Sequence, residues 1–225
     1  MAETRKTNRI RPPDFAARYL GGRVLDIGAG GDPVCAGAEP FDVAEGDAND
    51  IARYRAPETY DCVHSSHCLE HMRDPPAALA QWWALIKPGG FLVLVVPDED
   101  LYEQGYWPSR FNPDHKATFR LDAPHSWSPV SFELRALVGA LPGCRILEAA
   151  VHDHDYDREL QRRPGDPWRR TFPGLRQLRS LAKRVPWIGR RRHHAVDRLA
   201  FRRGVAIDQT GRGALAQIQI VAQKS

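Results

Sequence analysis

The sequence predicts an α/β fold with a doubly wound, Rossmann-like and mostly parallel sheet whose last strand is antiparallel. Apolar segments of strand length alternate with segments of helical spacing, and a glycine turn directly follows the first apolar segment. A third observation is the run FLVLVV at 91–96, which is apolar throughout. A strand without polar alternation is typical of a parallel sheet that is covered on both faces. Such sheets bind ligands in the loops at the carboxyl ends of their strands.

The predicted strands and helices alternate along the chain. The first three strands are GRVLDIG, EPFDV and YDCVHSS. DPPAALAQWWALIKPGG predicts a helix, because it opens with prolines and repeats apolar residues at helical spacing. After the strand GGFLVLVVPDE, SPVSFELRALVGALPG predicts a second helix, with a Ser128 cap and Pro129 in its first position. CRILEAAVHD and GALAQIQIVAQ are the last two predicted strands.

Length and composition indicate one domain. The 225 residues are 42% hydrophobic and 27% charged, as in an ordinary globular protein. We expect a single domain over 1–225, with a long loop at 97–125 and a basic, largely helical or irregular insertion at 156–210. No apolar run is long enough to cross a bilayer and no secretory signal is recognisable, so a cytoplasmic chain is expected. The four cysteines form no Cys-x-x-Cys pair, which favours reduced thiols.

The positive charge of the chain is concentrated in one segment. Between Arg158 and Gly204 there are 15 Lys or Arg residues against 3 Asp or Glu residues. This basic segment is suited to RNA phosphates, to anionic lipid headgroups, or to an anionic substrate. A solvated insertion with no ligand is the alternative. RNA ranks below a small molecule or a glycan, because the segment has few aromatic residues and no RNA-binding module is recognisable.

The glycine turn in VLDIGAGGDP, residues 24–33, argues against a dinucleotide ligand. Aligned with the G-x-G-x-x-G pattern, it has Pro33 in place of the third glycine and Asp32 where a pyrophosphate would lie. Two negative charges would then repel each other. The turn instead favours a cofactor that carries positive charge and no phosphate, such as S-adenosylmethionine.

Four motifs occur together in a characteristic order: LDIGAG, GDAND, YDCV leading to LEHM, and KPGGFLVLVVP. With these motifs the sequence resembles class I S-adenosylmethionine-dependent methyltransferases of the methyltransferase type 11 family, from roughly Gly22 to Val96. The resemblance implies an enzyme that transfers a methyl group from S-adenosylmethionine.

The resemblance also implies roles for individual residues near the cofactor. Its methionine part would lie against Asp26, Gly28 and Gly30, its ribose against Asp42, and its adenine against Asp47 and Ala48, whereas Ser65, Ser66 and His67 would face the reacting methyl group. One departure concerns the gap between the second strand and the adenine site. Asp42 and Asp47 are so close in sequence that no useful helix fits between them. Either this layer is trimmed, or the two acids divide the ribose and adenine roles differently.

The loop after the apolar strand is the candidate acceptor site. The segment PDEDLYEQGYWPSRFNPDHKATF mixes groups that stack with groups that hydrogen-bond, namely Tyr102, Tyr106, Trp107, His115 and Lys116. That mixture suits a saccharide or another polar, partly apolar acceptor. A plain surface loop is the alternative. A hydroxyl acceptor benefits from a general base, for which His67 and His115 are the candidates.

No metal ion is expected from the sequence. His64, His67 and His71 lie near Cys62 and Cys68, but no carboxylate pair completes a ligand set. His71, in the Leu-Glu-His motif, is expected to form a hydrogen bond at a helix start.

The sequence as a whole predicts a methyltransferase that acts on a small-molecule or saccharide-type acceptor, with methylation of oxygen favoured. Two alternatives remain: an RNA methyltransferase that uses the basic segment, and a partner protein that binds the cofactor without catalysis. The basic segment at 158–204 is also a candidate contact with a membrane surface or another polyanion.

Overall fold

Six strands form the central sheet of the computed structural model, which describes residues 3–169, 171–175, 177 and 189–225. They are β1 (Val24–Ile27), β2 (Glu39–Phe41), β3 (Tyr60–Ser66), β4 (Ile86–Pro97), β7 (Cys144–His152) and β8 (Gln217–Lys224). Two short strands, β5 (Thr118–Arg120) and β6 (Ser131–Glu133), pair in a separate sheet. The order across the central sheet is β2-β1-β3-β4-β8-β7.

The strand directions confirm the predicted fold class. β1 pairs in parallel with β2 and β3, and β3 pairs in parallel with β4. β8 runs antiparallel to both of its neighbours, β4 and β7. The carboxyl ends of β1, β3 and β4 therefore meet at one edge of the sheet, where doubly wound folds bind their ligands.

The helices of this fold are short. The α-helices that the structure describes with defined bounds are α1 (Glu3–Asn8), α2 (Phe15–Tyr19), α3 (Pro75–Ala84), α4 (Leu134–Gly139) and α5 (Gly189–Arg202). Turns of 3₁₀-helix occur at Ala48–Arg53, Leu69–His71, Arg158–Leu160 and Thr210–Arg212, and one π-helical turn at Glu99–Glu103. No helix in the described ranges is long and apolar enough to cross a bilayer.

The first two crossovers of the sheet lack an α-helix. All residues of the β1–β2 and β2–β3 connections are described, and they contain only the 3₁₀ turn at Ala48–Arg53. The gap between Asp42 and Asp47 is thus free of helix, as its length predicts. The N-terminal segment covers one face of the sheet instead, because Phe15 and Tyr19 of α2 pack with Val24 of β1 in a buried cluster.

α3 covers the opposite face and carries the largest buried side chains. The Asp74 side chain accepts a hydrogen bond from the Ala77 amide and caps the helix at its N-terminus, where Pro75 lacks an amide hydrogen to satisfy. Trp82 and Trp83 are almost fully buried, which confirms that this pair belongs to the core. The Trp82 indole also donates a hydrogen bond to the Ala48 carbonyl at 2.9 Å, so the buried core helps to hold the 3₁₀ turn in place.

The predicted start of the second helix is wrong. The helix begins at Leu134 and not after Ser128, because Ser131–Glu133 is the strand β6, which pairs with β5. Glu133 is the cap, and its carboxylate accepts hydrogen bonds from the amides of Arg135 and Ala136. A strand of three residues is too short to leave a pattern in the sequence, so the proline and serine before it were misleading.

The described part of the basic segment packs against the loop at 97–125. Arg110 of that loop lies between the rings of Tyr106 and Trp168, 3.5 and 3.3 Å from the two centroids. A side chain at Gly105 would collide with the backbone at Pro164. The side chains at 189–194, which include three consecutive arginines, lie outside the described residues. The proposed single domain over 1–225 remains a prediction.

Replacing Trp82 with alanine should lower the free energy of unfolding by about 3–5 kcal/mol, because it leaves a large cavity and removes the bond to Ala48. Denaturant unfolding followed by circular dichroism measures this change. Leu147→Ala is the matched control, since Leu147 is 36% exposed and its loss should cost about 0.5 kcal/mol or less. Equal destabilisation by the two variants would contradict the assigned core.

Candidate active site

The glycine turn after β1 leaves its backbone open. Gly28 and Gly30 have φ angles of +77° and +54°, which favour glycine. A Cβ atom on Gly28 would lie 2.7 Å from the Cβ of Cys68, so only glycine fits there. A Cβ atom on Gly31 would meet nothing within 4 Å. The turn therefore packs closely on one side and faces open space on the other.

Asp26 holds this turn from inside the sheet. Its side chain is buried, and Oδ2 accepts a hydrogen bond from the Val34 amide at 2.7 Å. Oδ1 lies 2.6 Å from Nδ1 of the fully buried His64 in β3. Asp26 thus joins the far end of the turn to the neighbouring strand, and a direct contact with the cofactor stays a prediction.

His64 is neutral in this arrangement. Burial lowers its pKa from the ordinary value of 6.5, against the opposing effect of Asp26. Nδ1 then carries the hydrogen that is donated to Asp26, and Nε2 accepts from the Arg11 guanidinium at 3.4 Å. The pKa of Arg11 is itself lowered by burial to about 10, so Arg11 stays charged at neutral pH. The negative charge of Asp26 and the positive charge of Arg11 therefore balance each other on either side of the neutral His64 ring.

Asp42 and Asp47 lie at the rim of the crevice. Asp42 accepts hydrogen bonds from the Gly30 and Val43 amides, both at 2.8 Å, so its carboxylate lies over the turn. Asp47 accepts from the Asn49 side chain and amide, and these bonds lower its pKa. Its second oxygen pairs with Arg73 at 3.2 Å. The structure therefore places Asp42 against the turn and Asp47 beside Asn49 and Arg73, and the predicted ribose and adenine roles of these acids and of Ala48 remain predictions.

The carboxyl end of β3 offers unpaired hydroxyl groups. Ser65 and Ser66 are buried, and neither hydroxyl has a hydrogen-bond partner among the described residues. His67, the next residue, has a φ angle of +54°, and its Nε2 lies 3.2 Å from Oε1 of Gln217 in β8. Buried polar atoms normally have partners, so these hydroxyls indicate a place that a ligand occupies.

The N-terminal helix α1 closes over the crevice. Both carboxylate oxygens of Asp32 accept hydrogen bonds from Arg5, one from its backbone amide and one from its guanidinium. Thr7 of α1 hydrogen-bonds with Gln217. Asp32 is therefore occupied by an arginine of this chain rather than capping its own turn.

The residues present fit S-adenosylmethionine. Open backbone at the turn, two orphaned hydroxyls at the end of β3 and acids at the rim match a ligand with hydroxyls, an amino group and positive charge. A phosphate is not accommodated as well, because Asp26, Asp32 and Asp42 surround the turn.

A cluster of histidines and acids lies beside this crevice. His115 is buried, and its Nδ1 lies 2.6 Å from Oε1 of the buried Glu103. The ring of Tyr102 stacks on His115, with centroids 5.1 Å apart. Glu70 is also buried, and its Oε1 lies 3.5 Å from Nδ1 of His67. The structure thus places each predicted catalytic histidine beside a buried carboxylate, His115 beside Glu103 and His67 beside Glu70.

The Glu70–His67 pair favours the charged form of both groups. Burial opposes charge on each side chain, but the carboxylate of Glu70 raises the pKa of His67. The charge of His67 in turn lowers the pKa of Glu70, with smaller contributions from His115 and His71.

Three further residues are predicted to bind the acceptor, namely Lys116, Tyr106 and Trp107. Lys116 donates to the His71 carbonyl at 2.8 Å and pairs with Asp114 at 3.2 Å. Tyr106 donates to the Asp166 carbonyl and packs on Arg110, so it joins the loop to the basic segment. Trp107 is half-buried next to Tyr106. Their roles in acceptor binding remain predictions.

Sequence reasoning missed the acidic half of this cluster. Glu70 lies inside the Leu-Glu-His motif, in which the histidine is the more obvious functional residue. Glu103 is one of several acidic residues in a polar loop. A glutamate between an apolar residue and a histidine, just after a buried strand, is the signal that was available. No local pattern marks Glu103 as buried.

Comparisons with known proteins agree with the fold. A family profile described as "Methyltransferase domain" matches residues 2–140. A SAM-dependent methyltransferase from Archaeoglobus fulgidus is similar in structure, with a TM-score of 0.50 and 17% identity over 98% of this chain and 92% of that one. A SAM-dependent methyltransferase from Thermotoga maritima has a TM-score of 0.49 and 14% identity over 100% and 88% of the two chains. At such identities a structural likeness supports the fold alone. No curated protein sequence matches the chain.

The contribution of His64 to the free energy of unfolding should fall as the pH is lowered from 7 towards 5.5, whereas the raised pKa of His67 acts in the opposite direction. The folded pKa of His64 lies below its unfolded value, so the unfolded chain binds a proton that the folded chain does not. This stability is present above about pH 6.5 and is lost below it, by at most about 1.4 kcal/mol per pH unit. Denaturant unfolding at several pH values measures the slope. It should be shallower in His64→Gln and unchanged in His125→Gln, whose histidine is exposed; identical slopes would contradict the burial of a neutral His64.

Gly28→Ala should lower the free energy of unfolding by at least about 1 kcal/mol, because the new Cβ meets Cys68 at a left-handed φ angle. Thermal unfolding measures the loss. Gly21→Ala is the control, since its Cβ meets nothing within 4 Å. A Gly28→Ala variant as stable as the control would refute the tight turn.

Proposed function

The chain belongs to the methyltransferase domain family, and from this membership we propose that it methylates a hydroxyl oxygen on a small-molecule or saccharide-type acceptor. It is a methyltransferase that depends on S-adenosylmethionine. A methyltransferase implies an acceptor, either a small molecule or a macromolecule. The class of acceptor and the methylated atom are the substance of the proposal.

The buried pair of His115 and Glu103 carries this proposal. Glu103 engages Nδ1 of His115 at 2.6 Å, which fixes the ring and leaves Nε2 as the free nitrogen. Stacking on Tyr102 holds the ring in place from another side. A histidine oriented by a carboxylate is a suitable general base for a hydroxyl, which must lose its proton when it is methylated. An amine acceptor that is already neutral needs no such group.

The other contribution to catalysis is the alignment of the methyl donor with the acceptor. S-adenosylmethionine supplies an electrophilic methyl group on a sulfonium centre. The turn at Gly28 and the end of β3 at Ser66 fix one side of the reaction axis, and the residues around His115 fix the acceptor side. Holding two reactants in line can lower a barrier by roughly 7–11 kcal/mol. A base in reach contributes a further factor of about 10²–10⁴.

The described part of the basic segment makes contacts with the rest of the chain. Several described cations of the segment are engaged within the protein. Arg158 pairs with Asp153 at 2.6 Å, and Arg198 with Glu159 at 2.8 Å. Arg162 lies over the ring of Phe201, 3.8 Å from its centroid. We therefore propose that the described part of the segment forms a wall beside the acceptor loop.

A panel of hydroxyl compounds and their amino counterparts tests the acceptor class. The full chain is incubated with S-adenosylmethionine labelled in its methyl group, and transfer into monosaccharides, phenols and the matching amines is measured. Transfer to hydroxyl compounds is expected. Transfer confined to amines, or to RNA in the presence of these acceptors, would contradict the proposal.

His115→Gln should lower the turnover number with a hydroxyl acceptor by about 10²–10⁴-fold, because the imidazole no longer receives the proton. Affinity for S-adenosylhomocysteine, measured by calorimetry, should stay unchanged. The control is His125→Gln, an exposed histidine, which should retain full activity. Full turnover in the His115 variant would remove this residue from the chemistry.

A further inference from the structure

Glu70 is buried in a way that methyl transfer alone does not require. It is 1% exposed, and neither carboxylate oxygen has a hydrogen-bond partner in the described part of the chain. The contact with Nδ1 of His67, at 3.5 Å, lies at the outer limit of hydrogen-bond distance. A buried charge is costly when hydrogen bonds do not replace its water. Such a group therefore calls for a further partner.

Two histidines converge on this carboxylate. One ligand atom each from Glu70, His71 and His115 lie within 4.8 Å of one another. The backbone fixes this approach, because the Lys116 amide donates to the Glu70 carbonyl at 2.7 Å. The turn after β3 and the loop after β4 are thereby held side by side.

Each of the two histidines is supported from behind by a further carboxylate. Nδ1 of His115 lies 2.6 Å from Glu103, and Nδ1 of His71 lies 2.9 Å from Asp114. Both rings therefore keep Nε2 as the free nitrogen, and that of His71 lies 4.0 Å from Oε1 of Glu70. A carboxylate behind one ring nitrogen is the usual support of a histidine that binds a metal ion through the other.

We propose that Glu70, His71 and His115 form a binding site for a divalent transition-metal ion such as Zn²⁺. Two imidazoles and a carboxylate form a donor set that suits such ions. Three protein ligands leave the fourth position open, as in catalytic zinc sites. The atoms around one Zn²⁺ lie about 3.3 Å apart, so the three groups need to close by roughly 1 Å.

The local charge agrees with a divalent cation. Glu70, Glu103 and Asp114 carry three carboxylates, whereas Lys116, paired with Asp114, and His67, beside Glu70, carry two positive charges, so negative charge is in excess. Oε2 of Glu103 is a third buried carboxylate oxygen without a hydrogen-bond partner among the described residues. The ring of His71 is 24% exposed, which gives an ion a way in. Glu70 thus adds a carboxylate ligand to the two histidines.

The role of the ion rests on the proposed function. A hydroxyl bound in the open position has a lowered pKa and loses its proton to solvent. The oxygen then forms a bond to the methyl carbon, the bond from sulfur to that carbon breaks, and sulfur keeps the electron pair. With the ion bound, His115 is a ligand and solvent accepts the proton; the base role proposed above for His115 applies to the protein without the ion.

Zinc binding tests the site directly. The full chain is freed of metal with a chelator and titrated with Zn²⁺ in a calorimeter, and one ion per chain is expected to bind. Glu70→Gln and His115→Gln should each weaken binding by at least about 100-fold, since each removes a ligand. Asp114→Asn should weaken it by about 10–100-fold, because it acts through His71. Zn²⁺ should raise the unfolding temperature of the wild type and not that of Glu70→Gln.

His125→Gln is the matched control and should bind Zn²⁺ like the wild type. Calorimetry with S-adenosylhomocysteine shows that each variant is folded. Absence of Zn²⁺ binding in the wild type, or undiminished binding in Glu70→Gln, overturns the metal site and leaves His115 as the proposed base. Zn²⁺ binding that is weakened in the variants as expected supports the site even if no hydroxyl compound is methylated. That outcome would contradict only the proposed acceptor chemistry.

Discussion

The carboxylate of Asp26 ties the glycine turn to the sheet. It accepts hydrogen bonds from Val34 beyond the turn and from His64 in the neighbouring strand. No helix follows the turn to fix its direction, so these two bonds take over a task that helix packing performs in a regular doubly wound fold. The open face of the turn, and with it the cofactor crevice, depends on this buried contact.

Histidine paired with a carboxylate recurs at three depths in this molecule. His64 with Asp26 is sealed in the sheet, His115 with Glu103 is buried beside the crevice, and His71 with Asp114 lies partly at the surface. In the first pair both ring nitrogens are occupied, because Arg11 reaches Nε2. In the other two pairs the carboxylate leaves one nitrogen free. The same pairing therefore builds structure in one place and leaves available ligand atoms in the others.

The edge of the sheet is completed by segments that are distant in sequence. α1 reaches the turn through Arg5 and the last strand through Thr7, whereas the basic segment packs on the loop after β4 through Trp168. These segments have room to pack there because the β1–β2 and β2–β3 connections lack α-helices. Segments that are distant in sequence thus meet at this edge of the sheet, which explains why the loop at 97–125 is not a free surface loop.

Local patterns in the sequence determine the sheet, the buried face of α3 and the glycine turn, because strand and helix periodicity and the conformational needs of glycine act within a few residues. The same patterns led to the expected absence of a helix between Asp42 and Asp47. Only the tertiary structure decides that Ser131–Glu133 is a strand, since its stability comes from pairing with Thr118–Arg120. It alone buries Glu70 and Glu103 and turns two histidines towards them. Convergence of this kind depends on how separate loops meet at one edge of a sheet, and no spacing along the chain encodes that distance.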